Sequence, residues 1–274
     1  MNNLTQRLVT GVIGASVITT LMLWNTYSLV ALFFLLCMFI LYEYLLVVKP
    51  IKKHGDAKWH IPGNMLAGVL AFALISGVFL QWWSLVWLVL ALPLIASLFI
   101  VELYQNRPQP FQHIGLRIIA LVYIVLPFAL LPGIALLQGS FQPVLVMGIV
   151  YTVWTDNVMA YFTGRWLGKN KLFERISPKK TWEGFAGGFI MALVCTAIFA
   201  HYSEVLTLYQ WLGLGAITSI TGTLGDLVES LFKRDLSLKD SSGILPGHGG
   251  FLDRFDALVM AVPFCYAYLL LLGI

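Results

Sequence analysis

The sequence of 274 residues is 59% hydrophobic and only 11% charged, with a mean hydropathy of +0.85. A water-facing domain carries about 25% charged residues, so this composition excludes a soluble globular protein and points to a bilayer as solvent. The net charge of +4 is small and sorts by membrane side, so it is not a nucleic-acid footprint and no nucleic-acid partner is expected.

Apolar stretches long enough to cross hydrocarbon, about 17–25 residues each, recur along the chain. Nine are read, at roughly 8–24, 28–48, 61–80, 84–101, 116–137, 143–163, 184–202, 209–229 and 255–274. Only Asn25 and its neighbours separate the first from the second. Lipid tolerates no irregular backbone, so these spans are expected as helices. The expected fold is all-α: a polytopic integral membrane protein of about nine transmembrane helices. It is read as one membrane-embedded domain over 1–274, with amino-terminal helices over 1–140 and the chemistry over 141–274. Arg7 before the first apolar run imitates a signal peptide, but no small-x-small cleavage pattern follows, and the span is expected to be retained. Cys37, Cys195 and Cys265 lie inside spans without zinc spacing and read as small apolar core residues.

The basic residues set the orientation. Alternate connections carry Lys49, Lys52, Lys53 and Lys58, then Arg107, then Arg165 to Lys180, then Lys233, Arg234 and Lys239. The opposite connections, near 25–27, 81–83, 138–142 and 203–208, hold no Lys or Arg. Nine crossings with a cytoplasmic amino terminus place every basic residue on the cytoplasmic side.

Two cytoplasmic connections are richer than topology requires. GRWLGKNKLFERISPKKTWE, Gly164–Glu183, holds six basic residues and a Ser-Pro turn at Ser177–Pro178. Lys179 and Lys180 follow that turn, and Thr181 is placed to cap a helix beginning near Trp182. Paired Lys beside a helix start favour bound phosphate. A loop that merely touches anionic headgroups is the blander alternative.

The second connection is KDSSGILPGHGGFLDRFD, Lys239–Asp256, with the helix that leads into it. Asp226, Glu229 and Lys233 fall at i, i+3 and i+7 and share one helical face. Asp253 and Asp256 open the last span. Ionisable groups at membrane depth are costly, roughly 2.5–3.5 kcal/mol on insertion scales, and mark function by default. Clustered carboxylates repel unless a cation intervenes. Hard oxygen ligands with water suit Mg²⁺. Lys233, Arg234, Lys239 and Arg254 beside them call for anions as well, the combination phosphoryl and nucleotidyl transfer use. Pro246-Gly247-His248-Gly249-Gly250 lets backbone N–H groups approach a phosphate closely.

These residues resemble the phosphatidate cytidylyltransferases, or CDP-diglyceride synthases. The family signature runs S-x-apolar-K-R, four residues, K-D, a spacer, P-x-H-G-G and D-R-x-D. Here it is filled by Ser230-Leu-Phe-Lys233-Arg234, Lys239-Asp240, Pro246-Gly-His248-Gly249-Gly250 and Asp253-Arg254-Phe-Asp256. The likeness extends to Gly225-Asp226-Leu-Val-Glu229 and to Ile176-Ser177-Pro-Lys179-Lys180-Thr181. The resemblance implies joining CTP to phosphatidic acid, giving CDP-diacylglycerol and pyrophosphate, with Mg²⁺ as cofactor. It implies Asp226 and Asp253 as metal ligands, with Asp256 and Asp240 in close support. Lys239, Lys233, Arg234 and Arg254 would neutralise phosphates. Ser177, Lys179 and Lys180 would belong to the nucleotide or lipid-phosphate site, with His248 in the glycine turn. The family usually carries an Asp where this chain has Asn157, with Asp156 just before it. One residue turns a helical side chain by about 100°, so which of the two faces the site is open.

The expected setting is a bacterial inner (plasma) membrane with the site on the cytoplasmic side. Partners would be CTP, phosphatidic acid and the lipid bilayer; a homodimer is one open assembly. A lipid or polyprenol kinase would share the Mg²⁺, Lys and Asp, and a proton-relaying transporter would share intramembrane acids. The kinase would release a nucleoside diphosphate. The transporter would want its acids mid-membrane, not gathered at one face.

Overall fold

A computed structural model describes residues 3–48, 60–105, 109–236 and 250–274, with the backbone alone at 3–10 and 60. Every predicted span is helical within those residues. The helices are α1 (Asn3–Trp24), α2 (Thr26–Val47), α3 (His60–Phe79), α4 (Ala91–Gln105), α5 (Pro110–Ile119) and α6 (Leu126–Leu136), then α7 (Pro143–Leu167), α8 (Trp182–Tyr202), α9 (Leu208–Asp235) and α10 (Leu252–Leu271). A 3₁₀ stretch, Leu85–Leu90, runs into α4, and a π-helical stretch, Ala120–Val125, joins α5 to α6. Among the described residues, seven helical segments are long and apolar enough to cross a membrane: Thr26–Val47, Ile61–Phe79, Leu85–Gln105, Pro110–Leu136, Pro143–Leu167, Trp182–Tyr202 and Leu252–Leu271. The protein is thus an all-α polytopic membrane protein.

The two other predicted spans are helices that fall outside that group. In α1 side chains are described only from Gly11, and the apolar stretch Gly11–Trp24 so covered is shorter than a crossing needs. In α9 the cause is composition: Gly213, Gly215, Thr218, Ser219, Thr221, Gly222, Thr223 and Gly225 dilute its hydropathy. Such residues suit contact with other helices better than contact with lipid.

The chain divides into two compact units, Met1–Leu136 with Ser241–Leu252, and Leu137–Asp240 with Asp253–Ile274. In the first, Asn25 ends α1 and starts α2. Its extended backbone breaks the helix, and its side chain accepts the Ser28 N–H at 2.9 Å while Ser28 Oγ accepts the Asn25 N–H at 3.0 Å. This reciprocal cap explains how one residue separates two long apolar helices. The core gathers α2, α3 and α6. Phe33 tilts against Phe128 with centroids 6.3 Å apart, and α6 is buried from Pro127 to Ala135. The buried ion pair Glu102–Arg117, at 3.1 Å, ties α4 to α5.

The second unit packs α7, α8 and α9 through small residues. A Cβ on Gly184 would stand 3.1 Å from Gly164 Cα and 2.9 Å from Ala160 O, so α7 and α8 meet nearly backbone to backbone there. Further along, Gly148 of α7 leaves the space that the fully buried Trp211 ring fills from α9, itself stacked on Phe199 at 5.5 Å.

Gly148→Ala should therefore overpack a ring with nowhere to go. The expected destabilisation is about 1–3 kcal/mol, read as a lower melting temperature in detergent. Gly115→Ala, where an added Cβ meets nothing within 4 Å, should instead raise stability slightly, by about 0.5–1 kcal/mol, through helix propensity.

Candidate active site

The connection after α7 is not the loop that the sequence suggested. It forms a hairpin, β1 (Lys171–Phe173) and β2 (Ser177–Thr181), pairing antiparallel with Lys171 opposite Thr181 and Phe173 opposite Ser177. Ser177 and Pro178 thus lie in β2, and the chain reverses before them. The cause is local pairing of two short strands at a tight reversal. Glu183 pins the hairpin base: its carboxylate accepts the Lys169 N–H at 3.1 Å, the Asn170 N–H at 3.2 Å and the Asn170 side-chain amide at 2.7 Å. Thr181 caps α8 as expected, its Oγ1 accepting the Gly184 N–H at 3.2 Å.

Strand alternation then separates the two adjacent lysines. Lys179 is exposed, whereas Lys180 is half-buried. Lys180 Nζ lies 2.8 Å from Asp226 Oδ2 and donates to the Thr223 carbonyl at 3.3 Å. Ser230 Oγ donates to the other oxygen of Asp226 at 3.3 Å. Asp256 is buried within electrostatic reach of Asp226, Lys180 and Lys233, and its Oδ1 accepts the Ala257 N–H at 2.7 Å. The approach depends on Gly225, where a Cβ would come within 2.7 Å of the Asp256 carbonyl oxygen.

A second cluster lies one turn further along α9. Lys233 Nζ sits 2.7 Å from Glu229 Oε2 and 2.8 Å from Asp253 Oδ1. The Glu229 side chain is 1% exposed, that of Asp253 8% and that of Lys233 13%. Lys233 lies beyond the predicted span 209–229. Burial there disfavours its ammonium, but hydrogen bonds to Asp253 and Glu229 outweigh that, and its pKa stands above the ordinary lysine value. The expected phosphate ligand is thus engaged by two carboxylates.

On α7, Asp156 and Asn157 differ in burial. Asp156 is 3% exposed, whereas Asn157 is exposed. Asp156 Oδ1 accepts the Ser219 hydroxyl at 2.8 Å and lies within electrostatic reach of Lys180. Ser219 was not among the residues anticipated, although it lies seven before Asp226, on the same α9 stripe. Arg234 and Arg254 are exposed, Ser177 is half-buried and Gly250 is buried. Lys239, Asp240, His248 and Gly249 lie outside the described residues.

Lys180, Asp226, Asp256 and Asp156 therefore converge, and Lys233, Glu229 and Asp253 form a neighbouring group. Among the described residues, no three His, Cys, Asp or Glu form a ready-made metal cage. Mg²⁺ does not need one. It is commonly held by one or two carboxylates, with water and substrate phosphate completing the shell. Asp226 with Asp256, hard oxygen donors close enough to repel, fits that donor set.

Fold and site together define a membrane-embedded protein with an acid-and-lysine centre suited to phosphate chemistry. The chain belongs to the cytidylyltransferase family, whose sequence model matches residues 5–272. It is 42% identical over 162 residues to the phosphatidate cytidylyltransferase of Bacillus subtilis (strain 168), a match covering 59% of this chain and 60% of that protein. The phosphatidate cytidylyltransferase of Haemophilus influenzae is 46% identical over 125 residues, covering 44% of this chain and 43% of the relative. That of Staphylococcus aureus (strain COL) is 34% identical over 244 residues, covering 80% of this chain and 92% of the relative.

If Lys233 is a tether between carboxylates, Lys233→Met should destabilise the protein by about 3–5 kcal/mol, since it leaves buried carboxylates without their cation. Adding Glu229→Gln should restore part of that loss in detergent melts. A lysine serving only substrate phosphate would leave the melting temperature unchanged.

Proposed function

We propose that the chain is a CTP:phosphatidate cytidylyltransferase, forming CDP-diacylglycerol and pyrophosphate at the cytoplasmic face of a bacterial inner membrane. The observation that carries this reading is the Lys180–Asp226–Asp256 convergence, built from the residues on which the sequence resembles that family. The names of the relatives support it, and so does the polar centre on helices otherwise apolar enough for a bilayer.

The reaction asks little of proton transfer. The second pKa of a phosphate monoester is about 6, so phosphatidate is largely dianionic at neutral pH. One of its phosphate oxygens attacks the α-phosphorus of CTP, forming the new P–O bond. The bond from that phosphorus to the bridging oxygen breaks in line, and pyrophosphate leaves with the electron pair. The protein's task is to hold two anions together and stabilise the charge that shifts between them.

Lys180 is placed to donate to phosphate when its contact with Asp226 gives way. Lys179, Arg234 and Arg254, on exposed positions, would draw in and neutralise the triphosphate, with Lys239 beside them. Ser177, His248, Gly249 and Gly250 would add hydrogen bonds and close backbone approach. Lys233 would hold Asp253 in place through the pair with Glu229, and Asp240 would give close support. Asp226 and Asp256, with Asp253 beside them, would hold Mg²⁺, which when bound supplies charge neutralisation to the triphosphate and its leaving group. Asp156, held by Ser219, keeps a negative field on Lys180 and so keeps it oriented. The acyl chains would stay in lipid while the headgroup reaches this centre.

The test is purified protein with phosphatidic acid, radiolabelled CTP and Mg²⁺, scored for a lipid-soluble cytidine product and for pyrophosphate. Release of a nucleoside diphosphate instead would indicate a kinase. Asp226→Asn and Asp253→Asn should each lower turnover by about 10²-fold or more while the protein still inserts and purifies. Asp156→Ala should lower turnover clearly, whereas Asn157→Ala should leave it near wild type. Equal effects at 156 and 157 would remove Asp156 from the site.

A further inference from the structure

The first unit contains a cavity that the proposed chemistry leaves unused. It lies between α3 and α4, with one side chain from α5, and has a volume of about 200 Å³. Its walls change character along their length. Leu66 and Leu70 of α3 and Leu94, Leu98 and Val101 of α4 are apolar, whereas Asn64, Gln105 and Arg117 gather where α3 begins and α4 ends. From Asn64 to Leu70, α3 rises about 9 Å, which sets the distance between the two ends. Ser97, in the apolar part, spends its hydroxyl on the Leu94 carbonyl at 2.6 Å.

Arg117 is 5% exposed, and a buried ionised group within an apolar span is functional by default. Glu102 neutralises it at 3.1 Å, yet the cavity wall carries Arg117 and not Glu102. Arg117 also donates to Gln105 Oε1 at 3.4 Å, so the Gln105 amide offers the cavity N–H groups. A guanidinium has donors alone. The polar end is therefore suited to an acceptor, and the walls beyond it to hydrocarbon. Leu66 and Leu70 are 59% and 49% exposed, so the cavity opens sideways. Gly63 keeps its mouth clear: an added Cβ there would meet nothing within 4 Å.

A nucleotide would press its phosphates on leucine, and a bare hydrocarbon would press methylenes on Asn64 and Arg117; both are costly. The volume falls below the roughly 300–1,000 Å³ that encloses a whole small ligand, so the occupant enters in part and leaves the rest in lipid. We propose that this cavity is a binding site for a glycerophospholipid, with its phosphate at Asn64, Gln105 and Arg117 and the upper part of one acyl chain between α3 and α4. Basic pockets between membrane helices take phospholipid headgroups in this way. The inference involves the first unit alone and does not depend on the cytidylyltransferase reading; a lipid held here is bound, not converted.

The experiment titrates delipidated full-length protein in detergent with phosphatidylglycerol, with diacylglycerol of the same chains and with inorganic phosphate. The rise in melting temperature gives an apparent Kd for each. Phosphatidylglycerol should stabilise saturably, whereas diacylglycerol and phosphate, each with half of the recognised chemistry, should bind at least about fivefold more weakly. Gly63→Phe, which puts a ring at the open mouth, and Gln105→Leu, which removes a donor from the polar end, should each weaken phosphatidylglycerol binding at least about fivefold. Gly63→Ala is too small to obstruct and should weaken it less than that. If the Phe variant does not fold, Gln105→Leu decides by the same criterion. A smaller loss in either folded variant, an equal loss in Gly63→Ala, no stabilisation of the wild type, or diacylglycerol or phosphate matching phosphatidylglycerol would each overturn the inference.

Discussion

Negative charge placed among apolar helices must be matched by something, and in the second unit two lysine ammonium groups do most of that matching. Lys180 arrives from a hairpin outside the helices and meets Asp226; Lys233 rises from α9 itself and lies between Glu229 and Asp253. The surrounding construction serves these meetings. Glu183 fixes the hairpin that carries Lys180, and Gly225 brings the Asp256 backbone up against α9. Without either cation, the acids would face one another in a medium that screens poorly.

The two lysines are not equivalent, and burial decides the difference. The Lys180 and Asp226 side chains are 24% and 33% exposed, so their ion pair is partly solvated and is worth about 0–1 kcal/mol, as exposed pairs are. Glu229 is all but sealed, and separating it from Lys233 would strand a buried charge at a cost of several kcal/mol. A triphosphate or a metal ion could displace the first contact easily but not the second. On the proposed reading, Lys180 changes partners during the reaction and Lys233 does not. The family resemblance groups both as basic site residues; the structure gives them different partners and different exposure.

Much of this was legible in the sequence. The apolar runs placed the helices, and Thr181 was readable as a cap because a hydroxyl followed by a helix-forming run has few other uses. The i, i+3 spacing put Asp226 and Glu229 on one face, as found. What periodicity cannot supply is the partner across the interface. It grouped Lys233 with the anion-binding cations because nothing local showed that Asp253 would reach it. The 171–181 hairpin was missed since two short strands carry little alternation. Asp156 and Asn157 differ only in which faces Ser219, a fact fixed by the rotation of α7 against α9.

The buried acids of the described residues illustrate one rule in several forms. Glu43 is met by backbone N–H groups, Glu102 by a guanidinium, Asp156 by a hydroxyl and Glu229 by an ammonium. Asp256 has the N–H of Ala257 and only the more distant field of the two lysines, while sitting beside another carboxylate. It makes no direct ion pair among the described residues, and Asp226 beside it has a partly solvated one. An added cation would gain most where carboxylates are least neutralised and where exchange is easiest. On the proposed reading, Asp226 and Asp256 would be the carboxylates to hold a divalent ion beside the triphosphate.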